Sequence, residues 1–237
     1  MIVTWFYKYF LYILLALATA FGYFWISQNK QKLRIGEGVA LLVAVLHTLL
    51  GLACVKVFAF LEGSPGGMSL FGGILFMPVL YFGAARLFKR GMADIFDVGA
   101  MLMIFTLLCA RLNCFHGGCC LGACIPGSET LRWPTRELEV VFYIILLVWL
   151  GKKAGKAKHS GTLYPLFMLS YGSFRFVEEW FRETANPVGF FHISHIWALA
   201  SVIIGACVYY RLRKVNPNGT KRRGNGKTTR RTKEEKK

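Results

Sequence analysis

Arg111 lies in the apolar run that leads into Cys114. An arginine inside such a run is costly and asks for a carboxylate partner or an anionic ligand. Its forked donors match the oxygens of a phosphate. Glu139 and Glu179 are the candidate carboxylates, and the clamp and the ion pair are not exclusive. A second polar group follows later in the chain. Tyr171, Arg175, Glu179 and Arg182 recur at helical spacing, with Glu178 beside them. A stripe that polar on an apolar helix must face the protein interior or a cavity. Two arginines against two glutamates can also be self-neutral, so a structural ion-pair stripe remains a second reading.

Thiol chemistry is the other candidate. Cys114, Cys119, Cys120 and Cys124 crowd one stretch, with His116 among them. The spacing C-x4-C-C-x3-C does not match the paired knuckles of structural zinc. No metal and no cofactor is expected. A disulfide in an oxidising compartment and a tight turn of small residues both remain open. Cys54, Cys109 and Cys207 sit in apolar runs and read as small packing residues. A third candidate is Gly66-Gly67-Met68-Ser69-Leu70-Phe71-Gly72-Gly73. Gly72 and Gly73 either free backbone amides for a phosphate or let helices approach closely.

Long apolar runs must position these groups. The chain has 237 residues, of which 55% are hydrophobic and 15% aromatic, and its mean hydropathy is +0.45. That composition predicts an all-α integral membrane protein rather than a soluble domain. Seven runs approach the roughly 20 residues a span needs: 5–26, 38–61, 68–88, 95–113, 138–150, 161–181 and 193–210. The fifth is short unless it reaches back to Arg136. The first reads as a retained span rather than a cleaved leader, because its apolar run continues past Ala20 into Phe21, Tyr23, Phe24, Trp25 and Ile26. Residues 1–212 form the expected membrane domain. Residues 213–237, rich in Lys, Arg, Gly and Thr, form an expected disordered tail. The formal net charge is +17. Beside membrane spans, a basic tail points to cytoplasmic retention and anionic headgroups rather than to nucleic acid.

Loop charge sets the expected orientation. Lys30, Lys32 and Arg34, then Lys89 and Arg90, then Lys152, Lys153, Lys156 and Lys158, then the tail, alternate with loops poorer in Lys and Arg. The positive-inside rule puts the N-terminus outside and the C-terminus in the cytoplasm. The cysteine-rich loop is then extracytoplasmic. Pro134-Thr135 fits a helix start, with Thr135 as N-cap.

Taken together these segments resemble the prolipoprotein diacylglyceryl transferase family, a seven-span bacterial membrane enzyme. Gly67-Met68-Ser69 with Phe71-Gly72-Gly73 is similar to its glycine motif. Arg111, Phe115 and Gly122 match its signature segment. Pro134-Thr135 with Glu139, and Tyr171-Gly172, Arg175-Phe176, Glu179 and Arg182-Glu183, match two later elements. The sequence also departs from the pattern. Phe71 stands where His or Tyr is usual, and Asn113-Cys114 replaces Gly-Asn. Cys119 falls where an acid is common, and Arg136-Glu137-Leu138 replaces Gln-Leu-Tyr. The resemblance is to a distant, cysteine-rich branch.

The resemblance implies transfer of a diacylglyceryl group from phosphatidylglycerol to the lipobox cysteine of a prolipoprotein signal peptide, in the bacterial inner membrane. Arg111 and Arg175 would stabilise charge on the departing phosphate. Glu179 would orient an arginine, and Tyr171 would donate a hydrogen bond. Gly72, Gly73, Gly122, Glu139 and Arg182 would line the substrate site. An ordinary thiol titrates near ~8.5 and needs help to ionise. Phe71 supplies none, so the position of His116 nominates it as the base. A membrane thiol–disulfide protein explains the cysteines but not the arginine stripe. A phospholipid-binding relative without chemistry is the other rival.

Overall fold

The computed structural model describes residues 2–63, 69–89, 91–128, 130–156, 161–183, 187–188 and 191–215. Among them are eight α-helices: α1 (Ile2–Gln28), α2 (Lys30–Leu33), α3 (Glu37–Leu61), α4 (Leu70–Leu87), α5 (Met92–His116), α6 (Thr135–Lys156), α7 (Leu163–Glu178) and α8 (Ile193–Val215). A 3-10 turn, Glu179–Phe181, extends α7. A two-residue hairpin, β1 (Pro187–Val188) against β2 (Phe191–His192), leads into α8. Gly66-Gly67-Met68 and the tail beyond Val215 lie outside the described residues.

Each expected apolar run is a helix. The fifth does reach back, to Thr135. Among the described residues, α1 from Tyr9, α3, α4, α5 and α8 as far as Leu212 are long and apolar enough to cross a membrane. Two of the seven expected spans fall short of that measure. Helix α7 has 16 residues. Helix α6 carries Arg136, Glu137 and Glu139 at one end and Lys152, Lys153 and Lys156 at the other. These two helices bear Glu139, Tyr143, Tyr171, Arg175 and Glu178.

Helix α5 is the axis. It packs on α1, α3, α4, α6 and α7, and 61% of its apolar window is buried, against 22% for α1 and for α8. A helix wrapped on all sides is apolar all round, which is why residues 97–104 are buried without a break. Asp97, the polar residue at the head of that run, is buried for a reason. Its carboxylate accepts from Gly161 N at 2.6 Å and Leu163 N at 2.9 Å. Leu163 N is a first-turn amide that α7 itself leaves unpaired, and Gly161 N lies just ahead of the N-cap Thr162. Lys32 of α2 stands 3.8 Å from the same carboxylate. Asp97 therefore fixes where α7 enters the bundle and, through α7, where Arg175 stands.

Connectivity sorts the two ends of the bundle. The α1–α3, α4–α5 and α6–α7 turns share the end that carries Lys30, Lys32, Arg86, Lys89, Lys152 and Lys153. The last turns of α5 and α7 and the first turns of α4 and α6 share the other. That second end holds Phe71, Arg111, Glu139, Arg175 and the cysteine-rich loop.

Candidate active site

Three helix ends converge on one carboxylate. Glu139, in the second turn of α6, is fully buried. Its Oε1 accepts from Arg175 Nη1 at 3.2 Å and from Arg182 Nη1 at 3.0 Å. Its Oε2 pairs with Arg111 Nε and accepts from the Tyr143 hydroxyl at 3.3 Å. Arg111 comes from α5, Glu139 and Tyr143 from α6, Arg175 from α7, and Arg182 from the residue that follows its 3-10 extension. Charges like these tolerate burial only when paired and hydrogen-bonded.

The stripe read from the sequence lies on this centre. Arg175 pairs with Glu178, and its Nη2 lies 2.9 Å from Glu179 Oε2. Arg182 lies 3.8 Å from Glu178 and 4.0 Å from Glu179. Three guanidiniums thus face three carboxylates, Glu139, Glu178 and Glu179. The ion-pair reading of Arg111 holds here with Glu139. Pairing does not exhaust the donors: three guanidiniums offer about fifteen N–H groups, and three carboxylates accept about twelve. An oxyanion placed among them finds donors already aimed.

Tyr171, one turn before Arg175, is fully buried. Its ring stacks on Tyr143 at 6.3 Å, and among the described residues its hydroxyl has no hydrogen-bond partner. A buried hydroxyl left open carries a desolvation cost that a ligand would relieve. Phe71 completes this wall. Its ring meets Tyr171 edge-on at 5.9 Å, and the Arg175 guanidinium lies 5.8 Å from its centre. The position where a polar residue was missed is therefore in contact with the stripe.

The loop after α5 is laced over the cluster. Gly122 pairs with Arg182 and Cys124 with Arg132 as antiparallel bridges, and Ala123 N donates to Phe181 O at 2.8 Å. A Cβ on Gly122 would stand 2.1 Å from the Trp133 carbonyl oxygen, so only glycine lets these backbones pass. Arg132 ties the loop to Glu183. Within the loop, Cys120 Sγ lies 4.0 Å from Cys114 Sγ. The Cys114 thiol, together with the Arg111 and Arg182 charges, pulls the Cys120 thiol below its ordinary range.

Other expected site residues stand apart from the cluster. Gly72 serves helix packing: a Cβ there would meet the Cys54 carbonyl oxygen of α3 at 2.3 Å. Gly73 has ordinary room, with Met103 Sδ 3.5 Å away. It lines an apolar cavity with Leu14, His47, Val55, Met103 and Asn113. His116 turns to the far side of α5, where its ring stacks on Phe10 of α1 at 4.2 Å. Thr135 is the first residue of α6, and its buried hydroxyl caps nothing among the described residues.

Sequence reasoning missed Tyr143, although a tyrosine one turn after Glu139 is a signal. It passed over His192, whose Nδ1 lies 4.0 Å from Glu179 Oε1, and His195, whose Nδ1 accepts from His192 N at 3.1 Å.

Comparison with known proteins identifies the family. The profile described as prolipoprotein diacylglyceryl transferase matches residues 8–211. The phosphatidylglycerol–prolipoprotein diacylglyceryl transferase of Photobacterium profundum is 29% identical over 168 residues, 64% of this chain and 62% of that protein. The enzyme of the same name from Pasteurella multocida is 31% identical over 158 residues, 60% of this chain and 58% of that one. That from Oleidesulfovibrio alaskensis is 32% identical over 139 residues, 53% and 51%. The chain spans about three fifths of the length of the first two of these relatives. With several helices apolar enough to cross a bilayer and a profile match over most of its length, this multi-pass membrane protein belongs to the prolipoprotein diacylglyceryl transferase family.

Proposed function

We propose that this chain transfers the diacylglyceryl group of phosphatidylglycerol to the cysteine thiol of a prolipoprotein signal peptide, forming a thioether. The observation that carries this reading is the convergence of Arg111, Arg175 and Arg182 on Glu139 beside the open Tyr171 hydroxyl.

The chemistry asks for such a centre. The acceptor sulfur attacks the glycerol carbon that bears the phosphate. A C–S bond forms as the C–O bond breaks, and the electron pair leaves on the phosphate oxygen. A phosphodiester of one negative charge becomes a monoester approaching two. Arg111, Arg175 and Arg182 sit where that added charge is neutralised in a water-poor site. Glu139 keeps the three guanidiniums aimed, and the Tyr171 hydroxyl donates to a phosphate oxygen. The cavity lined by Gly73, Val55 and Met103 takes apolar chain. The positive-inside rule places this end of the bundle outside the cytoplasm, with α6 and α7 also crossing to give seven spans in the inner membrane.

The test pairs vesicles of phosphatidylglycerol with a lipobox peptide. Purified protein should raise the peptide mass by one diacylglyceryl group, and a peptide with serine at the lipobox cysteine should gain nothing. Unmodified cysteine peptide, with phospholipid bound, would reject the transfer.

A further inference from the structure

The spacing C-x4-C-C-x3-C matches no paired zinc motif, yet the fold gathers three of its thiols. The Sγ atoms of Cys114, Cys119 and Cys120 lie within 4.8 Å of one another, and those of Cys114 and Cys120 are 4.0 Å apart. Two thiolates on one tetrahedral zinc, each at about 2.3 Å, stand about 3.8 Å apart. The sulfurs therefore need little movement to share an ion. Backbone geometry brings them there. Cys114 lies on the last turn of α5, three residues after Arg111 and so on a neighbouring face. Gly118 and Cys120 then take left-handed φ values of 65° and 59°, and the second is uncommon for a residue with a side chain. That turn folds Cys120 back onto Cys114.

The group has the character of a reactive site rather than a closed structural one. Structural zinc takes four protein ligands, whereas catalytic zinc takes three and keeps a fourth position open. Three thiols form this group among the described residues. Cys119 is exposed, and Cys114 and Cys120 are half-buried, so the fourth position is reachable from outside the bundle. Three thiolates around a dication leave one negative charge, and the cationic Arg111 stands one helical turn before Cys114 on α5.

We propose that Cys114, Cys119 and Cys120 hold one thiophilic divalent cation of zinc's class, and that its open position takes the acceptor cysteine. The second half rests on the transfer reaction proposed above. It supplies the step that Phe71 and His116 leave without a base, since a thiol on such a metal is deprotonated outright. The acceptor gives its S–H proton to water, and its thiolate binds the metal. Its sulfur lone pair then forms the C–S bond while the C–O pair leaves on phosphate. The metal changes no oxidation state, and the neutral thioether, a weaker ligand, departs.

The test uses full-length protein, reduced, stripped with a chelator and titrated with Co(II) in detergent. The wild type should take one equivalent, show thiolate-to-cobalt charge-transfer absorption and lose it to Zn(II). Cys114→Ser and Cys120→Ser should bind at least tenfold more weakly, and Cys207→Ser should bind as the wild type does. A lipobox peptide should shift the absorption, and its serine analogue should not. No charge-transfer absorption in the reduced wild type overturns the site without reference to any variant. A band that the cysteine peptide leaves unmoved overturns the acceptor role, as does undiminished thioether formation by stripped protein. A cysteine-specific shift with no thioether formed on any phospholipid supports the metal site and rejects the transfer reading instead.

Discussion

Arg175 Nη1 lies 3.2 Å from Glu139 Oε1, joining α7 to α6 across 36 residues of sequence. Glu139 also takes Arg111 and Arg182, so one carboxylate holds three guanidiniums. Glu139→Gln keeps the shape and removes the charge. Breaking a buried pair by removing one partner costs about 3–5 kcal/mol. The variant should unfold at lower temperature than the wild type, and its transfer rate should fall at least about a hundredfold, as for loss of oxyanion donors. Wild-type melting and rate in the purified variant would detach Glu139 from both roles.

Tyr171 separates function from stability. Its hydroxyl is buried and meets no partner among the described residues. Tyr171→Phe removes no internal hydrogen bond, so thermal unfolding should be unchanged or slightly raised. The transfer rate should fall by about a hundredfold, the lower end of the range for a lost transition-state donor. A variant that melts lower and transfers normally would make the tyrosine structural.

The neighbouring glycines should part company. A Cβ at Gly72 meets the Cys54 carbonyl oxygen at 2.3 Å, whereas one at Gly73 meets Met103 at 3.5 Å. Gly72→Ala must push α4 from α3, with an overpacking cost of about 1–3 kcal/mol or more. Gly73→Ala should fold normally and narrow the apolar cavity it lines, raising the phosphatidylglycerol concentration needed for half-maximal rate. Equal melting temperatures for the two variants would contradict this division.

His116 stacks on Phe10, on a different face of α5 from Arg111. His116→Ala should therefore keep transfer within about threefold of wild type, the loss being one aromatic stacking contact. A loss as deep as that of an arginine variant would return His116 to the chemistry.

Much of this centre was legible in the sequence because membrane burial makes charge conspicuous. Arg111 and the Tyr171–Arg182 stripe stood out as polar groups where acyl chains or core should be. Asp97 carried the same signal and was passed over, because its partners are backbone amides of α7 that no residue pattern reveals. That all three arginines meet at Glu139 depends on how α5, α6 and α7 pack, which spacing along one helix does not contain. The grouping of the cysteines was hidden for a related reason. Their spacing argued against a metal, and only the left-handed turn at Cys120 brings three sulfurs together. Hydropathy alone predicts seven spans, and among the described residues five helices are long and apolar enough, because α7 has 16 residues and α6 is charged at both ends.

The most direct measurement counts products. Purified protein, phosphatidylglycerol and a lipobox peptide should release one glycerol phosphate for each peptide that gains a diacylglyceryl group, with both signals lost together in Arg175→Gln. Glycerol phosphate released without modified peptide, or peptide modified as fast by Arg175→Gln as by the wild type, would contradict the account.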